Sequence, residues 1–249
     1  MAAEDADPRG EAERIARAYD RRTHGSRYSP FDPAHLLAQQ EVERTLLAGF
    51  GQTLARAGGR ELAALRALDV GCGSGYWLRR LLDWGLAPTN LHGIDLLADR
   101  IERARAHLPA ACDVRQADAR ALSWPDGHFD VVSQFVVFSS VLDPAVREAL
   151  ACEMARVTAP GGVILWYDFH VDNPRNPDVK GVGRREIARL FPGFAPRLRR
   201  VTLAPPLARA LLPRGRAVYE ALRLVPALRT HWAGVLVRDG GGRETASRG

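Results

Sequence analysis

Cysteine is scarce in this 249-residue chain: Cys72, Cys112 and Cys152 stand forty residues apart. The count is odd and no CxxC pair occurs, so neither a disulfide framework nor a cysteine zinc ribbon is available from them. The seven histidines show no HxxxH or HExxH spacing, and no metal is expected. Long apolar runs are missing too. The longest stretch without a charged side chain, Val131–Leu142, has twelve residues, against the ~20 of a membrane-spanning helix. The opening MAAEDADPRGEAER is charged where a signal peptide is apolar, and a cytoplasmic location is expected. Lysine is nearly absent. Lys180 is the only one, so the net charge of +6 is carried almost wholly by arginine. These arginines are interleaved with acids, as in RIERAR and EAERIARAYDRR, which describes a solvated surface better than a nucleic-acid footprint. One local basic patch stands out at Arg184, Arg185, Arg197, Arg199 and Arg200.

What is present describes a globular domain, with 46% hydrophobic and 26% charged residues. Residues 1–12 and the tail 240–249 (GGGRETASRG) have little to bury and are expected to be disordered. The remainder, 13–239, shows no internal repeat and reads as a single domain. Apolar residues from Leu36 to Leu54 recur at helical spacing, and Gly58-Gly59 stops that helix.

From Ala67 onward short apolar runs alternate with helical patterns. Strands are predicted at Ala67–Val70, Leu91–Ile94, Asp113–Gln116, within PDGHFDVVSQ and at Val163–Tyr167. Helices are predicted at Tyr76–Trp84, at 97–108 and, capped by Asp143-Pro144, up to about Val157. Further on come a helix at Arg184–Phe191, a strand near Leu198–Leu203, helical segments in 206–224 and a last strand at Ala233–Arg238. Strands apolar on both faces and separated by helices predict an α/β, doubly wound, mostly parallel seven-stranded sheet with helices on both faces.

The strongest local signal is Asp69-Val70-Gly71-Cys72-Gly73-Ser74-Gly75, glycines directly after a strand and before a helix. The dinucleotide fingerprint GxGxxG fails, because its third glycine would fall on Tyr76, and the GK[ST] ending of a P-loop is absent. Asp95 closes the second strand twenty residues beyond Gly75; taken alone, it could be the N-cap of the next helix. Asp118-Ala119 follows the third, Phe129–Gln134 forms the fourth, and Arg156-Val-Thr-Ala-Pro160-Gly161-Gly162 turns into the fifth.

In that order these motifs resemble the class I S-adenosylmethionine-dependent methyltransferases, over about 100 residues between Ala67 and Asp168. The resemblance implies a Rossmann-like sheet and a cofactor core at about 66–168. It makes Asp69, Gly71, Cys72, Gly73 and Gly75 the cofactor loop, with Cys72 also suited to a small buried slot. Asp95 would hold the ribose hydroxyls, with Leu96 beside it. Asp118 and Ala119 would flank the adenine, and Gln134 would close the site after strand four. Tyr19 and Tyr28 would belong to a segment that covers the cofactor, or would staple the first helix. A helical, substrate-facing lid is expected from 13–57 and 169–230.

Ser133-Gln134-Phe135-Val136 stands where enzymes acting on exocyclic amines of DNA bases carry [DN]PP[YF], and NPRNPD at Asn173–Asp178 lacks the second proline. The overall look is similar to the small-molecule, ubiquinone-biosynthesis-like branch. The implied reaction moves a methyl group in line to an oxygen, or a nitrogen, of a small acceptor such as a natural-product or saccharide intermediate. His170, oriented by Asp168, is the candidate general base, with His24 and His231 as alternatives and a base-free mechanism open. The rival readings are a nucleic-acid methyltransferase and a non-catalytic cofactor-binding regulator. No membrane span is expected, and the chain is expected to be a monomer or homodimer.

Overall fold

Buried strands sit where the apolar runs predict them. A computed structural model describes residues 8–21, 29, 31–56, 58–173 and 176–240. The strands are β1 (Ala67–Val70), β2 (Leu91–Asp95), β3 (Asp113–Gln116), β4 (Phe129–Phe135), β5 (Thr158–Phe169), β6 (Phe194–Leu203) and β7 (Arg229–Arg238). They form one seven-stranded sheet in the order β3-β2-β1-β4-β5-β7-β6. β1 to β5 pair in parallel, whereas β7 is inserted antiparallel between β5 and β6. The order reverses at β1, which has β2 on one side and β4 on the other, and ligands of such sheets bind at that switch point.

Alternate strand residues feed two cores, as the strand's period of two requires. Leu68, Val70, Ile164 and Trp166 join α5 (Pro144–Val157) and α6 (Arg184–Leu190). Ala67, Val163 and Leu165 join α2 (Pro33–Arg56), α3 (Tyr76–Asp83) and α4 (Ala98–His107). A smaller cluster of Ala34, Leu203, Ala208 and Tyr219 binds α7 (Pro205–Leu211) and α8 (Arg216–Arg223) to the start of α2 and to β6. Asp143 caps α5 as expected, its carboxylate accepting from the Ala145 and Val146 N–H groups.

Several expectations shift, among them the starts of β6 and β7, which lie four residues ahead of the predicted Leu198 and Ala233. The ordered chain begins ahead of residue 13, because α1 (Pro8–Asp20) already buries Glu11 and Ile15. The long α2 is no lid: Val42, Leu46 and Phe50 are buried against the sheet. β5 starts at Thr158, five residues before Val163. Phe129 faces Thr158 while Val131 faces Val163, so the Ala159–Gly162 stretch bulges from the ladder and the strand resumes beyond it.

One backbone position is closed to side chains. Gly234 of β7 has φ +150°, and a Cβ there would lie 2.1 Å from the Arg197 carbonyl oxygen of β6. Gly234→Ala is expected to lower the unfolding free energy by roughly 2–4 kcal/mol in urea titration, through backbone strain and a displaced edge strand.

Candidate active site

The carboxyl ends of β1 and β2 open into a cleft of about 840 Å³, counting space open to solvent. Its floor begins at Gly71, φ +71°, where a Cβ would lie 2.5 Å from Cγ2 of Val137. Only a glycine lets the β1 turn pass this close to the turn that follows β4.

Asp95 is the organising group of the floor. Its Oδ2 accepts from the Gly73 N–H at 3.0 Å and its Oδ1 from the Leu97 N–H at 3.0 Å. Two backbone donors fix the carboxylate while leaving it further lone pairs. The Arg100 guanidinium stands 3.7 Å from Oδ2. Beside Asp95, Leu96 and Ala119 offer apolar walls. Asp118 accepts from the Arg120 N–H at 2.9 Å and from its guanidinium at 2.5–3.0 Å. Burial pushes the Asp118 carboxyl up, but the Arg120 bonds outweigh it and hold the group below the usual carboxylate range.

The roof is α1. Glu11, Ala12, Ile15 and Tyr19 line the cleft from above. Glu11 accepts from the Leu142 N–H at 2.6 Å and from Arg14 at 2.8 and 2.9 Å. Burial raises the Glu11 carboxyl, and these donors more than offset it, leaving it ionised below the ordinary range. Arg14 donates to the Ser140 carbonyl, the Tyr19 hydroxyl lies 3.2 Å from the Ser140 Oγ, and Arg21 reaches Asp178 at 3.0 Å. The Arg100 guanidinium lies over the Tyr19 ring at 3.9 Å, a cation–π contact. Arg100 therefore touches roof and floor at once.

The turn after β4 forms the third wall. Val136 holds φ +62°, a costly conformation for a β-branched residue. Its N–H donates to the Tyr167 carbonyl at 2.8 Å and its own carbonyl accepts from the Ser140 hydroxyl at 3.2 Å. The turn so held presents Val137, Ser140 and Val141 to the cleft, facing Val146 and Leu150 of α5.

Of the residues singled out in the sequence, Tyr19, Gly71, Asp95, Leu96, Asp118 and Ala119 meet around this cleft. Gly73 serves it through its N–H to Asp95, and Gly75 begins α3. Cys72 fills a buried slot against Gly93, and burial pushes its thiol far above its ordinary range. Gln134 is buried and braces the Val137 N–H at 3.1 Å from below. Asp69 lies beneath the loop, accepting from the Ser133 hydroxyl at 2.7 Å. Tyr28 and His24 fall outside the described residues.

The expected acid–base pair does not form. Asp168 accepts from the Ser139 N–H at 3.1 Å and the Phe169 N–H at 2.8 Å, whereas His170 Nε2 lies 2.8 Å from the Arg229 carbonyl. His231 is buried against Tyr167 and Phe169, and burial drops its imidazole to about 3. Neither Asp168 nor either imidazole lines the cleft, nor does any described residue of 169–230. Strand alternation does put residues 168 and 170 on one face, but each finds a backbone partner of its own. Conversely, Glu11, Ile15, Arg100, Val137 and Val141 line the cleft unforeseen. Only Arg100, in the first turn of the helix that follows Asp95, carried a local hint.

Residues 67–162 match the family described as a methyltransferase domain. Over that stretch, well under half of the chain, the sequence is similar to that family, and the fold is that of S-adenosylmethionine-dependent methyltransferases. A 2-methyl-6-phytyl-1,4-hydroquinone methyltransferase of Synechocystis is 38% identical over 111 residues, 43% of this chain and 33% of that protein. A fatty-acid O-methyltransferase of Mycolicibacterium smegmatis is 34% identical over 137 residues, 53% of this chain and 46% of that protein. The chain thus spans a third to a half of the length of these relatives. Among solved structures, an S-adenosylmethionine-dependent methyltransferase from Mesorhizobium loti superposes with a TM-score of 0.55 at 20% identity, covering 77% of this chain and 98% of that one. That likeness shows the shared fold.

The residues present fit the cofactor of such methyltransferases. A fixed carboxylate with free lone pairs suits a vicinal diol, Leu96 and Ala119 suit the faces of a flat base, and Asp118 keeps partial exposure beside them. Among the described residues, no group of three or more His, Cys, Asp or Glu is placed to hold a metal ion.

Burial raises the Asp69 carboxyl to about 7, against the pull of Ser133, and the neighbouring Asp95 charge adds to the rise. Folded Asp69 therefore binds its proton more tightly than the unfolded chain, whose carboxyl titrates near ~3.9. This contribution to stability is full in acid, falls from about pH 4 and is lost above about pH 7. Asp69→Asn retains an acceptor for Ser133. Its stability relative to the parent is expected to rise by up to about 1.4 kcal/mol per pH unit across that window, measured by urea denaturation from pH 5 to 8.

Proposed function

We propose that this chain transfers a methyl group from S-adenosylmethionine to an oxygen or nitrogen of a small, largely apolar acceptor. The observation that carries this reading is the roofed cleft itself, with Asp95 braced by two backbone N–H groups below and α1 tied down above. The partly matched relatives act, by their names, on a phytyl hydroquinone and a fatty acid, and the apolar lining of Ile15, Val141, Val146 and Leu150 suits such acceptors. The earlier expectation of a natural-product or saccharide acceptor is narrowed to its apolar members on that ground.

The bound cofactor supplies a methyl group already activated by its sulfonium. The chain's own task is positioning. Asp95, with its carboxylate fixed at both oxygens, holds a diol in one orientation. Leu96 and Ala119 confine a base between them. Glu11, Arg14 and Tyr19 hold α1 against the Ser140–Leu142 turn and exclude water from the space below. Holding the reacting groups in line is worth up to ~7–11 kcal/mol of the barrier. The described lining includes no imidazole, and its carboxylates are already engaged by N–H donors and arginines. This favours the form of the reaction without a protein base, in which the acceptor's proton passes to water and the chain contributes alignment alone.

Calorimetric titration with S-adenosylhomocysteine tests the reading. The parent protein is expected to bind with micromolar affinity, and Asp95→Ala to weaken binding at least about tenfold, the loss of charge-assisted hydrogen bonds of ~1.5–3 kcal/mol. Absence of binding by a protein with a normal melting transition would remove the methyltransferase reading. His170→Ala is expected to bind the same ligand within about twofold of the parent, because its ring lies outside the cleft, beside Trp232 and the Arg229 carbonyl.

A further inference from the structure

The module built by α7, α8 and the connection to β7 presents an unusual surface. Leu224 is 69% exposed, Val218 42% and Val225 41%, large aliphatic side chains within eight residues of one another. Pro213, Ala217, Ala221, Pro226 and Ala227 beside them are exposed as well. The segment from Pro205 to Arg229 holds five arginines and a single carboxylate, Glu220. Glu220 is already bound to Arg223 at 2.8 Å and stands 3.8 Å from Arg216. The neighbouring acids are likewise engaged, Glu41 by Arg223 at 3.1 Å and Asp32 by Arg209 at 3.3 Å. Arg214 and Arg216 are left facing solvent, the Arg216 side chain 74% exposed. α8 itself is amphipathic: Tyr219 is buried in the small core while Val218 and Arg216 point outward.

Aliphatic tips flanked by an excess of arginine over carboxylate match one surface chemistry, the anionic interface of a lipid bilayer. There the aliphatic groups enter the acyl boundary and the guanidinium groups meet phosphates. A second copy of the chain fits less well, because a two-fold contact lays the same patch on itself and sets arginine against arginine. Nucleic acid would use the arginines but has no use for Leu224 and Val225. We propose that the α7–α8 surface, centred on Arg214, Arg216, Val218, Leu224 and Val225, docks this protein peripherally onto anionic phospholipid membranes. The inference stands independently of the methyl-transfer reading.

Vesicle flotation of the full chain tests it, comparing equal parts phosphatidylcholine and phosphatidylglycerol with phosphatidylcholine alone at about 0.1 M salt, where the Debye length is about 10 Å. Binding is expected to the anionic vesicles and to be at least about tenfold weaker to the neutral ones. Leu224→Asp, and separately Arg214→Glu with Arg216→Glu, are expected each to weaken flotation by about tenfold or more. Both act on exposed side chains and leave the melting transition and S-adenosylhomocysteine binding unchanged; Val218→Asp serves as a second apolar variant should either fail to fold. Failure of the parent to float with anionic vesicles overturns the proposal, as does equal flotation with neutral ones or flotation indifferent to the variants. A lipid-free dimer abolished by Leu224→Asp assigns the face to a second copy instead. RNA binding lost with the two arginines but kept in Leu224→Asp assigns it to nucleic acid.

Discussion

A single carboxylate bridges two loops, and the cleft depends on it. Asp95 leaves β2 and takes the N–H of Gly73 from the β1 loop and that of Leu97 from its own. These donors stand at the open ends of two adjacent parallel strands, where sheet hydrogen bonding has stopped and backbone groups need other partners. The charge satisfies them and sets the spacing between the loops. Gly71 then approaches Val137 because the loop is held there and bears no side chain. The strained Val136 is tolerated because the Tyr167 carbonyl and the Ser140 hydroxyl engage its peptide groups on both sides.

α1 closes over this frame with polar contacts more than with apolar ones. Ile15 and Ala18 are buried, but the register of the helix is set by Glu11 on the Leu142 N–H and by Arg14 on the Ser140 carbonyl. Arg100 completes the connection, lying on the Tyr19 ring and near Asp95. Roof and floor thereby share one guanidinium.

The inner sheet was legible in the sequence because β1, β2, β4 and β5 carry short apolar runs, whereas β6 and β7 each begin four residues ahead of their predicted start. β1 and β3 fall on their predicted bounds. The glycine loop, Asp95 and Asp118 were legible because their spacing from strand ends is a local property. The roof was not. PRGEAERIARAYD is mostly charged, and what makes Glu11 a buried residue is a backbone N–H more than 120 positions away. The pairing of His170 with Asp168 was plausible from alternation alone, but the nearest free acceptor for His170 is a carbonyl on β7, which no pattern within β5 reveals. Of the lid expected from 13–57, Ile15 and Tyr19 of α1 do roof the cleft and α2 does not, since a long helix preceding the core suits the flank of a sheet as well as the mouth of a cleft. Val42, Leu46 and Phe50 find their partners on the sheet.

The placement of β7 has a consequence for how the chain is made. β6 hydrogen-bonds to β7 alone, and β7 lies between it and the rest of the sheet. As a nascent polypeptide emerges from its N-terminus, β1 to β5 can associate once Phe169 is available, but the native partner of β6 is still missing and the open edge of β5 belongs to β7. β6 must wait, unpaired, until Arg229–Arg238 supply the wedge. Such an intermediate exposes a strand edge and the apolar side of α2 for as long as synthesis of that stretch takes. The arginine-rich pattern of β6, with Arg197, Arg199 and Arg200 exposed, gives that waiting strand the charge that discourages it from pairing with another chain.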